Sequence, residues 1–260
     1  MDTAKLLGGR GGRVHTGGSL IRENPEYIRR ALDVVAVALH ATFIGLAYRK
    51  GPDKVDTEVL LLVVMSAITI FFHLVYLWGL LKKTRPIGKN LFTFGLKERN
   101  TLKWLEYSIT ATLGTLALAY SHPDHPLVVP STLFFIAAVA VTEQATGYLW
   151  DSIDSFTEMP ANDLRKWPAY RAYFLTFVCQ AAEFWILADI TGISSPWVAY
   201  FVTWTLFGIW AGLRPIYLDT LDDNDGIQVS EIGYSILSTT AKISLFGTIL
   251  QEEGFLTNSN

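Results

Sequence analysis

Apolar positions along the chain gather into seven long blocks, approximately 28–48, 57–81, 100–120, 127–150, 168–190, 195–217 and 229–250. Each is near the roughly 20 residues that a helix needs to cross the hydrocarbon core of a bilayer. The charged residues fall in clumps between the blocks, whereas a soluble domain would scatter them along every surface helix. Tyr27, Tyr48, Tyr120, Trp150, Trp167, Trp197 and Tyr217 lie near block ends, where amphipathic rings settle at headgroup level. Seven transmembrane helices are therefore predicted, in preference to a soluble bundle with buried helices. Residues 1–27 read as a flexible basic tail containing Gly-Gly-Arg-Gly-Gly, without the apolar core of a cleavable signal peptide. Residues 28–250 form the membrane domain and 251–260 a C-terminal tail. The connections are short, so no second soluble domain is expected, and there is no internal repeat.

Orientation comes from the basic residues. The N-terminal tail, the connections after blocks two, four and six, and their flanks carry 17 of the 21 Lys and Arg. The connection after block one holds Arg49, Lys50 and Lys54, and the remaining cation is Lys242. Positive charge stays cytoplasmic, so the N-terminus is expected inside and the C-terminus outside. Bulk composition adds exclusions. The 260 residues carry a net charge of −3, which argues against a nucleic-acid partner. The single Cys179 excludes an intrachain disulfide and a cysteine-based zinc site. Only 17% of residues are charged and mean hydropathy is +0.30, which suits an integral protein of the cell membrane surrounded by lipid.

Lys242 asks for an explanation. It lies near the middle of block seven, within Ser-Thr-Thr-Ala-Lys-Ile-Ser-Leu-Phe. An ammonium at bilayer centre costs several kcal/mol or more and cannot snorkel from there, so such a residue is by default functional and partnered. One reading is a lysine held by an acid for packing; the other is an amine that forms a Schiff base with an aldehyde. The partner predicted in either case is Glu106 on helix three, in Trp104-Leu105-Glu106-Tyr107-Ser108. Helices three and seven run in the same direction, and a cation in a low-dielectric pocket needs a carboxylate nearby.

Seven helices with a mid-helix-seven lysine resemble a retinal-binding rhodopsin. An internal N-terminus, the Trp-Leu-Glu-Tyr-Ser stretch and Ser238 one turn before Lys242 make the chain similar to the heliorhodopsin family over about 28–250. The resemblance implies an all-α, seven-transmembrane-helix rhodopsin-like bundle. It also implies all-trans-retinal on Lys242, Glu106 as its counterion and a homodimer. It further implies a slow photocycle in a protein that senses light and is neither an enzyme nor an ion pump. The signal would pass to an unidentified cytoplasmic partner. The chain departs from the family at the connection Arg49 to Asp56, which is shorter than the loop that helps to pack the family's dimers.

Other polar positions suit such a site. Glu231, Ser235, Ser238 and Lys242 follow at i, i+4, i+7 and i+11, one face of a helix. That face continues as Phe246 and Ile249. Thr69 and His73 are one turn apart on helix two, and His40 is mid-helix one. The resemblance implies a polar, hydrated cavity near the Schiff base, with the histidines helping to receive its proton. Each histidine read alone is equally an interhelical hydrogen bond. Glu143 on helix four is expected in the cytoplasmic half, inside this network or at its mouth. Thr110 is placed in the retinal pocket. Helix six offers Trp204, Phe207 and Trp210 at helical spacing as a clamp for the ring end, and helix five offers Phe177, Gln180 and Phe184. Such an aromatic stripe is more often plain packing or lipid-facing.

Two competitors stay open. Glu183 lies deep in the outer half of helix five. It can be a neutral acid hydrogen-bonded to Gln180 one turn earlier, or a relay in a light-gated passive proton conductance. A zinc-dependent intramembrane hydrolase would need about three His or Asp ligands, of which His40 and His73 supply two, and it gives Lys242 no role. His122 and His125, in His-Pro-Asp-His-Pro after helix three, read as a turn with solvated imidazoles. No Walker loop, dinucleotide-binding glycine motif or Ser-His-Asp constellation is present.

Overall fold

The computed structural model describes residues 25–50, 55–81, 101–151, 167–213 and 223–255. Among them are seven α-helices and no strand: α1 Pro25–Ala47, α2 Thr57–Leu81, α3 Thr101–Tyr120, α4 Pro130–Asp151, α5 Trp167–Thr191, α6 Ser195–Gly212 and α7 Asp223–Glu252. Each coincides with one of the seven predicted blocks, and the largest extension is at the start of α7. Successive helices pack on one another from α1 to α7, and α7 returns to α1 and α2, which closes the bundle. The N-terminal tail, most of the charged connections used for orientation, Tyr217, the side chain of Trp167 and the last five residues lie outside the described residues.

The faces of the helices are sorted as a bilayer requires. Phe71, Phe134, Phe174 and Trp185 point outward and are at least three-fifths exposed. Inside, His40, His73, Glu106, Glu143, Glu183 and Lys242 are buried. A water-soluble bundle would show the reverse. Many helical threonines and serines are tolerable in this setting because their hydroxyls donate back to the carbonyl four residues earlier. Thr110 to Glu106, Thr142 to Ala138 and Thr240 to Ile236 are examples.

Four helices are long and apolar enough to cross a membrane on length and mean hydropathy alone: α1, α2, α4 and α5. The helices α3, α6 and α7 fall short of that measure although the sequence pattern puts them in the same class. The reason is their interior content. The first carries Lys103 and Glu106, α7 carries Glu231 and Lys242, and α6 carries three tryptophans, a tyrosine and two threonines.

Two short connections are well defined. Gly192 (φ +64°) turns the chain out of α5, and Ser194 caps α6 by accepting from the Trp197 amide. At the end of α7, Gly254 (φ +68°) lets the Phe255 amide donate to the Leu250 carbonyl at 2.8 Å. That is a Schellman closure, which needs a left-handed residue where only glycine is unstrained. Two buried clusters fill the bundle. One runs through Val59, Leu62, Leu118, Phe184, Tyr200, Leu245 and Phe246 at the end where the C-terminus emerges. The other, made by Trp104, Tyr107, Phe207, Ala211 and Tyr234, lies toward the opposite end.

Two members of the expected aromatic belt are interior. Trp150 is buried and donates its indole N–H to the Ala211 carbonyl at 2.9 Å. Trp197 donates to the Phe184 carbonyl at 3.0 Å and stacks on Phe201. Nearness to a helix end does not choose between the lipid side and the bundle side of that end. Tyr27 and Tyr48 are exposed, as a belt position requires.

Candidate functional site

The Lys242 ammonium and the Glu106 carboxylate meet at the centre of the bundle, Nζ donating to Oε1 at 2.6 Å. Their side chains are 8% and 2% exposed. The second carboxylate oxygen, Oε2, accepts from the Tyr76 hydroxyl at 3.3 Å. The Tyr107 ring lies against the ammonium, 5.4 Å from it. The pair predicted from the sequence is therefore made, and both carboxylate oxygens are occupied. Each ion offsets the other's desolvation, which neither could bear alone.

The pair stands between two cavities. One is lined by Arg29, Asp33, His73, Tyr76, Lys103, Glu106, Tyr107, Glu231, Ser235 and Ser238. It lies toward the end where α1, α3 and α7 begin. It contains the predicted stripe from Glu231 to Ser238 and the predicted His73. His73 Nδ1 is 2.6 Å from Asp33 Oδ1, and Lys103 donates to Glu231 at 2.7 Å. Sequence reasoning missed Asp33 and Lys103. Lys103 is 3% exposed and rests over the Tyr234 ring, so the interior holds a second lysine besides Lys242. His40 is buried apart from this cavity's lining, with Nδ1 3.0 Å from Ser66 Oγ. Thr69 is fully buried, and its hydroxyl has no hydrogen-bond partner.

On the other side of Lys242 the walls are apolar. A narrow cavity is lined by Met65, Tyr107, Thr110, Ala111, Tyr200, Trp204, Phe207, Ser238, Ala241 and Lys242. Along α6, Tyr200, Trp204 and Phe207 form a continuous stack: Tyr200 on Trp204 at 6.0 Å and Trp204 on Phe207 at 5.4 Å, with planes 23° and 13° apart. The predicted Thr110, Ser238, Trp204 and Phe207 thus share one slot with Lys242. Trp210 does not join them; its indole turns to the Ser230 carbonyl. Phe184 packs on Trp197, Tyr200 and Phe201 within the neighbouring core.

Glu143 is not part of the polar network around His73. It accepts from the Trp204 indole at 2.9 Å and lines a third cavity with Gln144, Gly147, Phe177, Gln180, Trp204 and Phe207, among others. The cause is topological: α4 packs between α3 and α5 and has no main contact with α1, α2 or α7. Gln180 faces this cavity rather than Glu183. The expected Gln180–Glu183 hydrogen bond is not made, and both Glu183 oxygens lack a partner although the residue is fully buried.

The structure does not bring His40 and His73 into a metal set. Among the described residues, the grouping of candidate ligand atoms within 4.8 Å of one another is Asp56, Glu58 and Glu253, without a histidine. His125 Nδ1 accepts from the Leu127 amide, and His122 pairs with Ser121, so this segment is a turn.

Seven helices around a buried lysine–carboxylate pair, with apolar faces outward, define an integral membrane protein of rhodopsin-like fold. The comparisons agree on the fold. The crystal structure of a light-driven proton pump from Leptosphaeria maculans is similar, with a TM-score of 0.57 and 13% identity, over 94% of this chain and 98% of that one. At that identity the likeness shows the fold alone. No protein-family model matches the chain, and no curated protein matches it.

Proposed function

We propose that the protein is a light-absorbing retinal protein of the heliorhodopsin type, with all-trans-retinal attached through a Schiff base to Lys242 and Glu106 as counterion. The observation that carries this reading is the Lys242–Glu106 pair at 2.6 Å, set at the mouth of an aromatic slot. The residues suit the group. An amine opens into a narrow cavity whose walls are Tyr107, Tyr200, Trp204 and Phe207, and a conjugated apolar chain would lie along such a stack. When bound, retinal supplies the visible absorption and the light-driven isomerisation.

The protein's own part is electrostatic. Glu106 holds a positive charge at Lys242, and Tyr76 fixes the carboxylate through its second oxygen. Ser238 belongs to both cavities and marks the boundary between the dry slot and the polar chamber. Within that chamber, Asp33–His73 and Lys103–Glu231 are pairs in which a displaced proton can be received. With the N-terminus inside, as the basic residues favour, the chamber faces the cytoplasm. A charge change there would be read by a cytoplasmic partner, with the protein acting as a homodimer.

Colour tests this. Purified with all-trans-retinal, the wild type absorbs visible light, and Lys242→Ala and Lys242→Arg do not. Arginine keeps the charge but cannot form the imine, so an equally coloured Lys242→Arg protein overturns the assignment. Glu106→Gln shifts the band or discharges it; an unchanged spectrum would give the counterion role to another group.

One observation favours a second reading, a light-gated passive proton conductance. Glu183 is buried with both carboxyl oxygens unpartnered, as an acid that exchanges a proton would be. Photocurrents that reverse with the proton gradient and vanish in Glu183→Gln establish it. An intact photocycle with no steady photocurrent at any voltage leaves the sensor.

A further inference from the structure

The cavity between α3, α4, α5 and α6 is shaped for an apolar group but not finished as one. Glu143, Gln144 and Gln180 are 3%, 2% and 6% exposed and all line it. Each contributes a polar atom without a hydrogen-bond partner: Glu143 Oε1, Gln144 Oε1 and Gln180 Nε2. The other carboxyl oxygen of Glu143 is taken by the Trp204 indole. The remaining wall is mostly aromatic, with Trp104, Trp150, Tyr173, Phe177, Trp204 and Phe207, and it includes Thr176, Ala211 and the two glycines Gly147 and Gly208. A side chain at Gly147 would run into the Trp104 ring, and one at Gly208 would come within 3.1 Å of Phe177. The space therefore depends on the glycines.

This cavity and the slot at Lys242 share Trp204 and Phe207 as walls. A linear molecule attached at Lys242 and lying along the α6 stack would have its far end here. That end would meet one amide N–H donor and two oxygen acceptors, all buried. An unsubstituted hydrocarbon ring leaves all three unanswered, and buried polar groups are normally hydrogen-bonded. A ketone can only accept, so it would answer Gln180 alone. A hydroxyl accepts from Gln180 Nε2 and donates to Gln144 or Glu143. We propose that this cavity is a recognition site for a hydroxylated ring, and that the preferred ligand of the protein is a ring-hydroxylated retinoid. The proposal rests on the retinal reading of Lys242 for the covalent end, but the ring site itself does not require the imine.

Two measurements on the retinal-free full-length protein separate these dependencies. The first uses ring fragments that carry no aldehyde. β-Ionone and 3-hydroxy-β-ionone are titrated, and binding is read by quenching of tryptophan fluorescence. The hydroxylated fragment is expected to bind at least tenfold more tightly, and Gln144→Leu/Gln180→Leu to abolish the difference. The second is competition. Equal amounts of all-trans-retinal and all-trans-3-hydroxyretinal are added, and the bound retinoid is extracted and quantified by chromatography. The hydroxylated form is expected to predominate at least tenfold. Fragment preference without pigment from either aldehyde would defeat the Lys242 reading and leave the ring site standing. Pigment from both aldehydes in equal yield, with equal fragment binding, overturns the ring site and means that ordered water alone satisfies these groups. The wild-type comparisons decide the matter even if the double variant fails to fold.

Discussion

Removing one member of the Lys242–Glu106 pair should cost far more than removing both. The ions are 2.6 Å apart, with side chains 8% and 2% exposed, so neither regains water when the other is lost. Breaking a buried pair of this kind costs about 3–5 kcal/mol, whereas replacing both members by uncharged groups of similar volume is often nearly neutral. Glu106→Gln keeps the shape and an acceptor for Tyr76, and Lys242→Met keeps most of the apolar stem. Each single variant of the retinal-free protein is expected to lose about 3–5 kcal/mol of unfolding free energy. The double variant should lose less than either single one, which requires a coupling larger than about 3 kcal/mol. Titration of the protein in mixed micelles with a denaturing detergent, followed by tryptophan fluorescence, measures all four corners of the cycle. Single losses that add to within about 0.5 kcal/mol would refute a direct, desolvated ion pair.

Two further substitutions probe the walls. Trp204→Phe preserves the aromatic stack but deletes the donor to Glu143; it is expected to cost about 1–3 kcal/mol in the same assay, and no loss would mean that Glu143 is satisfied otherwise. Gly147→Ala drives a methyl group into Trp104. A loss of about 1–3 kcal/mol is expected from this overpacking, and wild-type stability would show that α3 and α4 can separate without penalty.

The bundle was legible because the apolar blocks are long and the charges between them are clumped. The central pair was legible because Glu106 and Lys242 are charges that the block pattern does not explain. Lys103 is less legible because it sits at a helix start among other basic residues, where a cation reads as flanking charge. Its spacing of three from Glu106 puts both on one face of α3, which was the available signal. Asp33, seven residues before His40 on α1, offered a similar one. The position of Glu143 was not legible. Depth along a helix can be read from the sequence, but the face it turns to depends on which helices are its neighbours, and α4 meets α3 and α5. The same limit applies to Trp150 and Trp197, whose indole partners are carbonyls of other segments.

The most direct test of the central claim exploits the two interior lysines. The protein is loaded with all-trans-retinal, reduced with borohydride to make the linkage permanent, digested and sequenced by mass spectrometry. The account predicts a retinyl group on Lys242 alone, because Lys242 lines the aromatic slot while Lys103 is paired with Glu231 in the polar chamber. A retinyl group on Lys103, or none on any lysine, would contradict it.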